Sequence, residues 1–226
     1  MMNHADALKI GNWLVEQLES CCEFEPPMYI DRLCRLAGGL RRLKPDVHDI
    51  ELVAKPILKA PRPEFGKPVF KTEFDKVLFG LEQSQHLKRI KGKDKMKQYA
   101  INLELFGLKP MFNPFTVEFY LVTPPAQWGV NLAIRTGPGS PGNHFSKWIV
   151  TPRKAGGSLP DGYRVKHAAV WREDQIDAKS EPIKGETPIP MPDEINFLDF
   201  LGLGWLEPKN RIARWKQTEY RLDISP

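Results

Sequence analysis

The chain has 226 residues, of which 41% are hydrophobic and 27% charged, and 33 basic against 28 acidic residues give a formal net charge of +5. This balance predicts a soluble globular protein of one large or two small domains and argues against a disordered chain. No apolar run approaches the roughly 18–20 residues that a membrane-spanning helix needs, and the N-terminus lacks the basic-then-apolar order of a signal peptide. Cys21, Cys22 and Cys34 are too few and too clustered for a disulfide framework or a zinc site, which favours a reducing, cytoplasmic location.

The first half of the chain alternates helices with short strands. Residues 5–22 carry apolar side chains at helical spacing, which predicts an amphipathic helix. Residues 115–122 alternate between two sets of side chains, which predicts a strand with one buried face. In chain order, the patterns predict a helix over 5–22, strands near 30–36 and 49–54, a helix over about 71–86, strands over 99–103 and 115–122, and a helix over about 125–135.

The composition changes after about residue 136, where glycine, proline and serine become frequent. Between these loops the sequence predicts a helix near 144–153, strands near 163–173 and a helix over about 192–201. The chain is therefore interpreted as an α+β domain over 1–136, followed by a smaller α/β unit over 137–226.

Acidic residues on two of the predicted strands are candidates for chemistry. Asp49 and Glu51 lie two positions apart, so both carboxylates project from one face of their strand while the apolar residues face the other. Glu118 has a similar place on the later strand. If the two strands are neighbours, the three carboxylates meet and suit Mg²⁺, which takes hard oxygen ligands and keeps positions open for substrate phosphates. A solvated strand face is the alternative for any one of them.

A glycine pair with two arginines precedes the first acidic pair. Gly38 and Gly39 allow the backbone to approach an anion closely, because neither has a side chain. Arg41 and Arg42 are planar, permanently charged ligands for phosphate. An ordinary glycine turn with surface arginines is the alternative interpretation.

A basic stretch lies between the predicted helix over 71–86 and the strand over 99–103. Its cations are Lys88, Arg89, Lys91, Lys93, Lys95 and Lys97, opposed only by Asp94. This density of positive charge indicates either a solvated hairpin or a surface that binds phosphate.

Together these motifs resemble the family X DNA polymerases and the wider polymerase-beta-like nucleotidyltransferases. The run from Gly38 to Glu51 is similar to the family signature Gly-Ser-x-Arg-Arg followed by Asp-x-Asp/Glu, and Val117-Glu118-Phe119 is similar to the strand with the third metal carboxylate. Further similar segments are Pro124–Val130, Arg135-Thr136-Gly137, Asp193-Glu194 and Leu201–Arg211. The resemblance implies a nucleotidyltransferase palm with a mixed sheet and flanking helices over 1–136, and a small α/β thumb over 137–226.

The same resemblance implies a two-metal DNA polymerase. Asp49, Glu51 and Glu118 would hold two Mg²⁺ ions, for which Mn²⁺ can substitute, and Glu118 or Glu51 would help orient or deprotonate the primer 3′-hydroxyl. The implied nucleotide-binding residues are Gly38, Gly39, Arg42, Thr136 and Gly137. The implied DNA-binding residues are Lys91, Lys93, Lys95, Lys97, Arg135, Lys147 and Arg153, with Lys154 and Arg164 as further contacts of the thumb.

The implied partners are a dNTP and a primer-template or gapped DNA. The protein would act as a monomer in DNA repair or replication, in the cytoplasm or wherever the genome of its host or virus is replicated. Only about 28 residues precede the first palm strand, so neither a lyase domain nor the fingers of larger family members is expected. The alternatives are a template-independent or RNA-directed nucleotidyltransferase and a non-catalytic, nucleic-acid-binding relic of the fold.

The chain departs from the family pattern at positions around the expected site. Gly39 replaces a serine, which removes a hydroxyl contact to phosphate, and His48 replaces a glycine beside the metal ligands. Glutamate replaces aspartate at positions 51 and 118, which lengthens both side chains by a methylene. Ile134-Arg135 stands where animal members carry aromatic residues, which leaves the selectivity between dNTP and NTP open.

Overall fold

The computed structural model describes residues 1–24, 32–59, 70–139, 142–216 and 219–221. Contacts divide the chain into two compact units, Met1–Thr123 and Pro124–Pro226. Each unit has its own cluster of buried apolar side chains, one between Met2 and Leu121 and the other between Val130 and Ala213. The proline pair at 26–27 and the start of the strand predicted near 30–36 lie outside the described residues.

The elements follow the predicted order closely. The helices are α1 (His4–Leu18), α2 (Gly38–Arg41), α3 (Glu73–Gln83), α4 (Trp128–Thr136), α5 (Phe145–Trp148) and α6 (Glu194–Phe200). The strands are β1 (Met2–Asn3), β2 (Cys34–Leu36), β3 (Asp46–Val47), β4 (Asp49–Ala54), β5 (Leu87–Gly92), β6 (Met96–Ile101), β7 (Thr116–Leu121), β8 (Tyr163–Lys166), β9 (Ala169–Arg172), β10 (Arg214–Lys216) and β11 (Glu219–Arg221). Within the described ranges, no helix is both long and apolar enough to cross a membrane.

A five-stranded mixed sheet forms the centre of the first unit, with its strands in the order β2-β4-β7-β6-β5. β4 and β7 are parallel, and the other neighbouring pairs are antiparallel. Burial alternates along β7, so that Val117 and Phe119 lie in the core while Glu118 is half-buried on the opposite face. A mixed sheet with flanking helices confirms the predicted α+β class.

Helices α1 and α3 pack into the core of this sheet. Asn3 caps the N-terminus of α1, because its side-chain oxygen accepts a 3.0 Å hydrogen bond from an amide of the first turn. The predicted apolar stripe of α1 is buried. Phe74 of α3 makes an edge-to-face contact with Phe119, with ring centroids 6.0 Å apart. Because the apolar residues of β4 and β7 fill this face, their polar residues lie on the other face.

The second unit packs α4, α5 and α6 with the antiparallel hairpin of β8 and β9. Its core includes the fully buried Phe145, Val170 and Phe197, and a buried ion pair joins Arg211 to Glu194 over 2.6 Å. Since α4 packs against α5 and α6, the compact units divide after residue 123, whereas the sequence indicates a boundary after residue 136. The assignment of the units to a palm and a thumb stays a prediction.

The helix predicted near 144–153 is shorter than expected. α5 ends at Trp148, and a separate 3-10 turn follows at Arg153–Ala155. Pro152 lies between them and cannot continue a helix, because it has no N–H to donate.

Candidate functional site

Two parallel strands bring the predicted carboxylates onto one face of the sheet. β4 and β7 pair in the register Asp49↔Thr116 and Glu51↔Glu118. Side chains in register on neighbouring strands lie on the same side, so Glu51 and Glu118 are direct neighbours, with Asp49 two positions away. All three are half-buried, and the residues that alternate with them are fully buried. The structure thus confirms that the two strands are neighbours.

The first glycine of the pair lies directly beside Glu51. Gly38 has a φ of +58°, and a Cβ atom built at this position would overlap the Glu51 carboxylate. The N–H of Ala37 donates to the Glu51 carbonyl over 2.8 Å, which holds the turn against β4. The left-handed backbone therefore favours glycine at position 38, and any side chain there would displace the Glu51 carboxylate. Gly39 is less restricted, since an added Cβ would lie 3.0 Å from Val47 Cγ1.

The surroundings of Asp49 shift the pKa of its carboxyl group upward. Burial raises the pKa of Asp49 above its ordinary value, and the Glu118 carboxylate raises it further. The charges of His48, Arg42 and Lys44 lower this pKa and so act in the opposite direction. Asp49 therefore lies within electrostatic reach of the carboxylate on β7 and of the basic residues that follow the glycine pair, a combination typical of functional sites.

Glu118 accepts hydrogen bonds from two neighbours that none of the sequence motifs contains. Gln98 donates from Nε2 to Glu118 Oε1 over 2.9 Å, and the Tyr120 hydroxyl donates to Glu118 Oε2 in a short hydrogen bond. Tyr120 follows Glu118 by two residues on the same strand face, so the alternating pattern was a signal for it. Gln98 is opposite Glu118 only through the pairing of β6 with β7, which no local pattern reveals.

The donor chemistry of this face fits a hard divalent ion, but the side chains are not closed around one. Carboxylate oxygens are the ligands that Mg²⁺ and Mn²⁺ prefer in proteins. Among the residues that the structure describes, no group of three or more His, Cys, Asp or Glu side chains is arranged to hold a metal ion. Each Glu118 oxygen accepts one hydrogen bond, which orients the carboxylate and leaves a second lone pair on each oxygen for a cation.

The basic stretch forms the predicted hairpin and separates into exposed lysines and a buried one. Lys91, Lys93 and Lys95 are exposed on β5 and the turn before β6. Lys97 is 9% exposed and forms an ion pair of 3.0 Å with Asp75 of α3. The three exposed lysines can meet a polyanion, whereas Lys97 joins the sheet to α3. Its burial does not favour the predicted contact with DNA.

The nucleotide-binding turn predicted at the end of α4 is buried in the second unit. Thr136 is fully buried, and a Cβ at Gly137 would lie 2.8 Å from the Phe145 ring. Arg135, the preceding residue, is half-buried. Gly137 therefore packs the end of α4 against α5, and the nucleotide contact implied for Thr136 and Gly137 stays a prediction that this burial does not favour.

Lys147 and Arg153, two further DNA contacts predicted in the second unit, are both exposed. Lys147 is exposed on α5. Arg153 donates from Nε to the Ser158 carbonyl over 3.3 Å and from an Nη to the Leu201 carbonyl over 2.9 Å. These bonds use two of the five N–H donors of the guanidinium, so Arg153 supports the local fold and keeps donors for a phosphate.

No protein-family model matches this sequence, and comparison with curated proteins also finds no match. A function can therefore be inferred only from the sequence motifs and from the geometry of the carboxylate face.

Proposed function

We propose that the protein is a metal-dependent nucleotidyltransferase that extends the 3′-hydroxyl of a DNA primer with dNTPs, as family X DNA polymerases do. One observation supports this proposal above the others. The parallel register of β4 and β7 sets Glu51 beside Glu118, with Asp49 on the same face and Gly38 packed against Glu51. Carboxylates distant in sequence thus adjoin a glycine–arginine segment, the combination that a metal-bound triphosphate requires.

The carboxylates would bind the cations and manage the proton of the attacking hydroxyl. Asp49, Glu51 and Glu118 would hold two Mg²⁺ or Mn²⁺ ions, which when bound stabilise the charge on the attacking and leaving oxygens. Glu51 or Glu118 would orient the primer hydroxyl or accept its proton. Because the pKa of Asp49 is raised, cation binding at this face should weaken as the solution becomes more acidic.

The glycine–arginine segment and the hairpin would bind the phosphates. Arg42 would contact the triphosphate of the dNTP together with the backbone at Gly38 and Gly39, where the lack of side chains permits close approach. The exposed lysines of the hairpin would bind the phosphate backbone of the DNA, a contact that carries no sequence information and weakens with salt.

Primer extension tests this proposal. Wild-type protein with Mg²⁺ or Mn²⁺ should extend a templated primer with dNTPs, and Asp49→Asn or Glu118→Gln should abolish extension. Glu104→Gln changes an exposed glutamate of the same unit and should leave the rate unchanged. Equal extension of a single-stranded primer would indicate a template-independent nucleotidyltransferase instead, and extension that survives Asp49→Asn would contradict the proposed site.

Non-catalytic binding of nucleic acid is the second candidate, and the contacts of Glu118 favour it. With one oxygen bonded to Gln98 and the other to Tyr120, Glu118 is stabilised as a structural hydrogen-bond acceptor. Calorimetry separates the two candidates. Binding of a dNTP that depends on Mg²⁺ supports the enzyme, whereas DNA binding without any dNTP binding supports the non-catalytic role.

A further inference from the structure

The second unit contains an open cavity of about 350 Å³ with a basic rim. Its charged lining residues are the cations Lys154, Arg164 and Lys166 and the single carboxylate Glu173, and valine, proline and isoleucine side chains form its wall. This volume lies at the lower end of the range of about 300–1,000 Å³ for small-molecule sites. The cavity is therefore large enough for a small ligand that combines an anionic group with an apolar surface.

Glu173 is shared by two of the rim cations. Lys154 Nζ lies 3.2 Å and Arg164 Nε 3.5 Å from the same oxygen, Glu173 Oε1. One carboxylate cannot neutralise two cations, so positive charge remains on this side of the rim. Since Arg164 approaches Glu173 through Nε, the remaining N–H donors of its guanidinium are on the Nη groups.

Lys166 adds the third cation from the end of β8. Its Nζ lies 3.2 Å from Glu181 Oε1, and His167 Nε2 lies 2.6 Å from the other oxygen of that carboxylate. Hydrogen bonds from His167 and then Lys166 lower the pKa of Glu181, which keeps this carboxylate charged. Within the lining of the cavity, three cations therefore face the single carboxylate of Glu173, and Glu181 lies outside this lining.

The segments that carry these charges are tied to one turn. The N–H of Lys154 donates to Asp161 Oδ1 over 2.8 Å, and the N–H of Glu173 donates to the Gly162 carbonyl over 2.8 Å. The backbone of Lys154 is therefore held by the Asp161 side chain and that of Glu173 by the Gly162 carbonyl. These bonds fix the backbone of the rim, whereas the exposed side chains of Lys154 and Arg164 still lose rotamer freedom when they bind an anion.

We propose that this cavity binds a phosphate monoester carried by a nucleoside. The phosphate would lie between Lys154 and Arg164, whose ammonium and guanidinium groups make charge-assisted hydrogen bonds to phosphate oxygens. The sugar or base would lie against the apolar wall. A free mononucleotide and the phosphorylated end of a nucleic-acid strand both present this chemistry. The inference adds a second anion site to the proposed function but does not depend on the carboxylates of β4 and β7.

Titration of the full chain with dAMP in EDTA, followed by ¹⁵N NMR, tests this proposal. EDTA removes any nucleotide binding that requires a cation at the first unit. The Trp171 indole N–H donates to the Lys166 carbonyl over 3.1 Å and therefore reports on the rim. We expect saturable shifts of this signal and of the amides at 164–166 and 173–176. Deoxyadenosine, which lacks the phosphate, should bind at least about tenfold more weakly.

Charge-matched variants locate the binding. Arg164→Gln and Lys154→Gln should each weaken dAMP binding about tenfold, because each removes a charge-assisted hydrogen bond. Lys184→Gln removes an exposed cation of the same unit that does not line the cavity and should leave binding unchanged. Lys166→Gln gives a further rim variant if either of the first two unfolds, as thermal unfolding would show. An unsaturated titration, or equal weakening in Lys184→Gln, would overturn the proposal.

Oligonucleotides identify the source of the phosphate. Tighter binding of a terminally phosphorylated strand than of dAMP would support the strand end as the ligand, and tighter binding of dAMP would support the free nucleotide. Binding that does not distinguish phosphorylated from unphosphorylated strands would overturn the proposal. An Asp49→Asn variant that binds dAMP normally but fails in primer extension would show that the two sites are independent.

Discussion

At Gly38 the backbone takes a left-handed conformation against the Glu51 carboxylate, so that a side chain would be both strained and obstructed. We expect Gly38→Ala to lower the free energy of unfolding by about 1–2 kcal/mol from backbone strain, with a further loss from displacement of Glu51. Urea unfolding measures this change. Gly80 of α3 is the matched control, because an added Cβ there meets nothing within 4 Å. Gly80→Ala should stabilise the protein by about 0.5–1 kcal/mol.

Unchanged stability of Gly38→Ala would contradict the described turn. Partly restored stability in the double variant Gly38→Ala with Glu51→Ala would instead support it, because the shorter side chain at 51 removes the overlap and leaves only the backbone strain.

Asp49 gives a prediction for the metal-free protein as a function of pH. Its pKa is raised by burial first and by Glu118 second, so the folded state retains the Asp49 proton at pH values where the unfolded state has released it. The stability that the retained proton contributes is fully present below the ordinary aspartate pKa of 3.8. It is lost as the pH rises through the higher pKa that Asp49 has in the folded state. The free energy of unfolding of Asp49→Asn, relative to wild type, should therefore increase with pH.

Unfolding in EDTA from about pH 3 to pH 7 measures this difference. Glu118→Gln removes the charge that is the second cause of the raised pKa, so the pKa of Asp49 should fall in this variant. The loss of stability with rising pH should then be smaller than in wild type. A difference between wild type and Asp49→Asn that is constant with pH would contradict the raised pKa.

The sequence predicts some residues of the candidate site better than others. The carboxylates on β4 and β7 follow from the two-residue period of a strand, which is a local property. The burial of Lys97 cannot be predicted in this way, although Lys97 continues the two-residue spacing of Lys91, Lys93 and Lys95. The turn closed by the hydrogen bond from Lys93 N–H to the Met96 carbonyl resets the alternation, and long-range packing then turns Lys97 toward α3.

Between elements, the ion pair of Lys97 with Asp75 connects β6 to α3. The Lys97 side chain is 11% exposed and that of Asp75 21%, so removal of one partner leaves the other poorly solvated. Lys97→Ala should lower the free energy of unfolding by about 2 kcal/mol. Lys95→Ala changes an exposed neighbour of the same hairpin and should alter stability by less than about 0.5 kcal/mol. Guanidinium unfolding of both variants measures this contrast, and equal stabilities would contradict the pairing.

The exposed part of the hairpin should contribute to DNA affinity rather than to stability. Each lysine that neutralises a phosphate contributes about 0.9 to the slope of log affinity against log salt concentration on duplex DNA. Removal of Lys91, Lys93 and Lys95 should therefore reduce this slope with little change in the unfolding midpoint. Fluorescence anisotropy at several salt concentrations provides the measurement. An unchanged slope would exclude the hairpin from the DNA-binding surface.

For the whole molecule, two separate buried clusters predict two units that fold independently. A fragment of residues 1–123 should unfold cooperatively and give a well-dispersed NMR spectrum, because its core lies within the fragment. A fragment that is unfolded in isolation would contradict the division after Thr123. The matched fragment of residues 1–136 should be no more stable, since α4 packs in the second unit.

The place of α4 shows why the division of the chain was harder to predict than its elements. The composition change that suggests a boundary follows α4, whereas packing assigns the helix to the second unit. The buried residues Val130 and Ala133 of α4 share a cluster with Phe145 and Phe197. A helical pattern shows which face is apolar but not which partner covers it.

Titration with paramagnetic Mn²⁺, followed by NMR line broadening, measures whether Asp49, Glu51 and Glu118 together bind divalent ions. We expect saturable broadening centred on the amide signals of residues 49–51 and 117–119. This broadening should be lost in Glu118→Gln and retained in the control Glu104→Gln. Sharp signals at these positions in excess Mn²⁺, or broadening that is the same in Glu118→Gln and wild type, would show that the three carboxylates do not form a cation site.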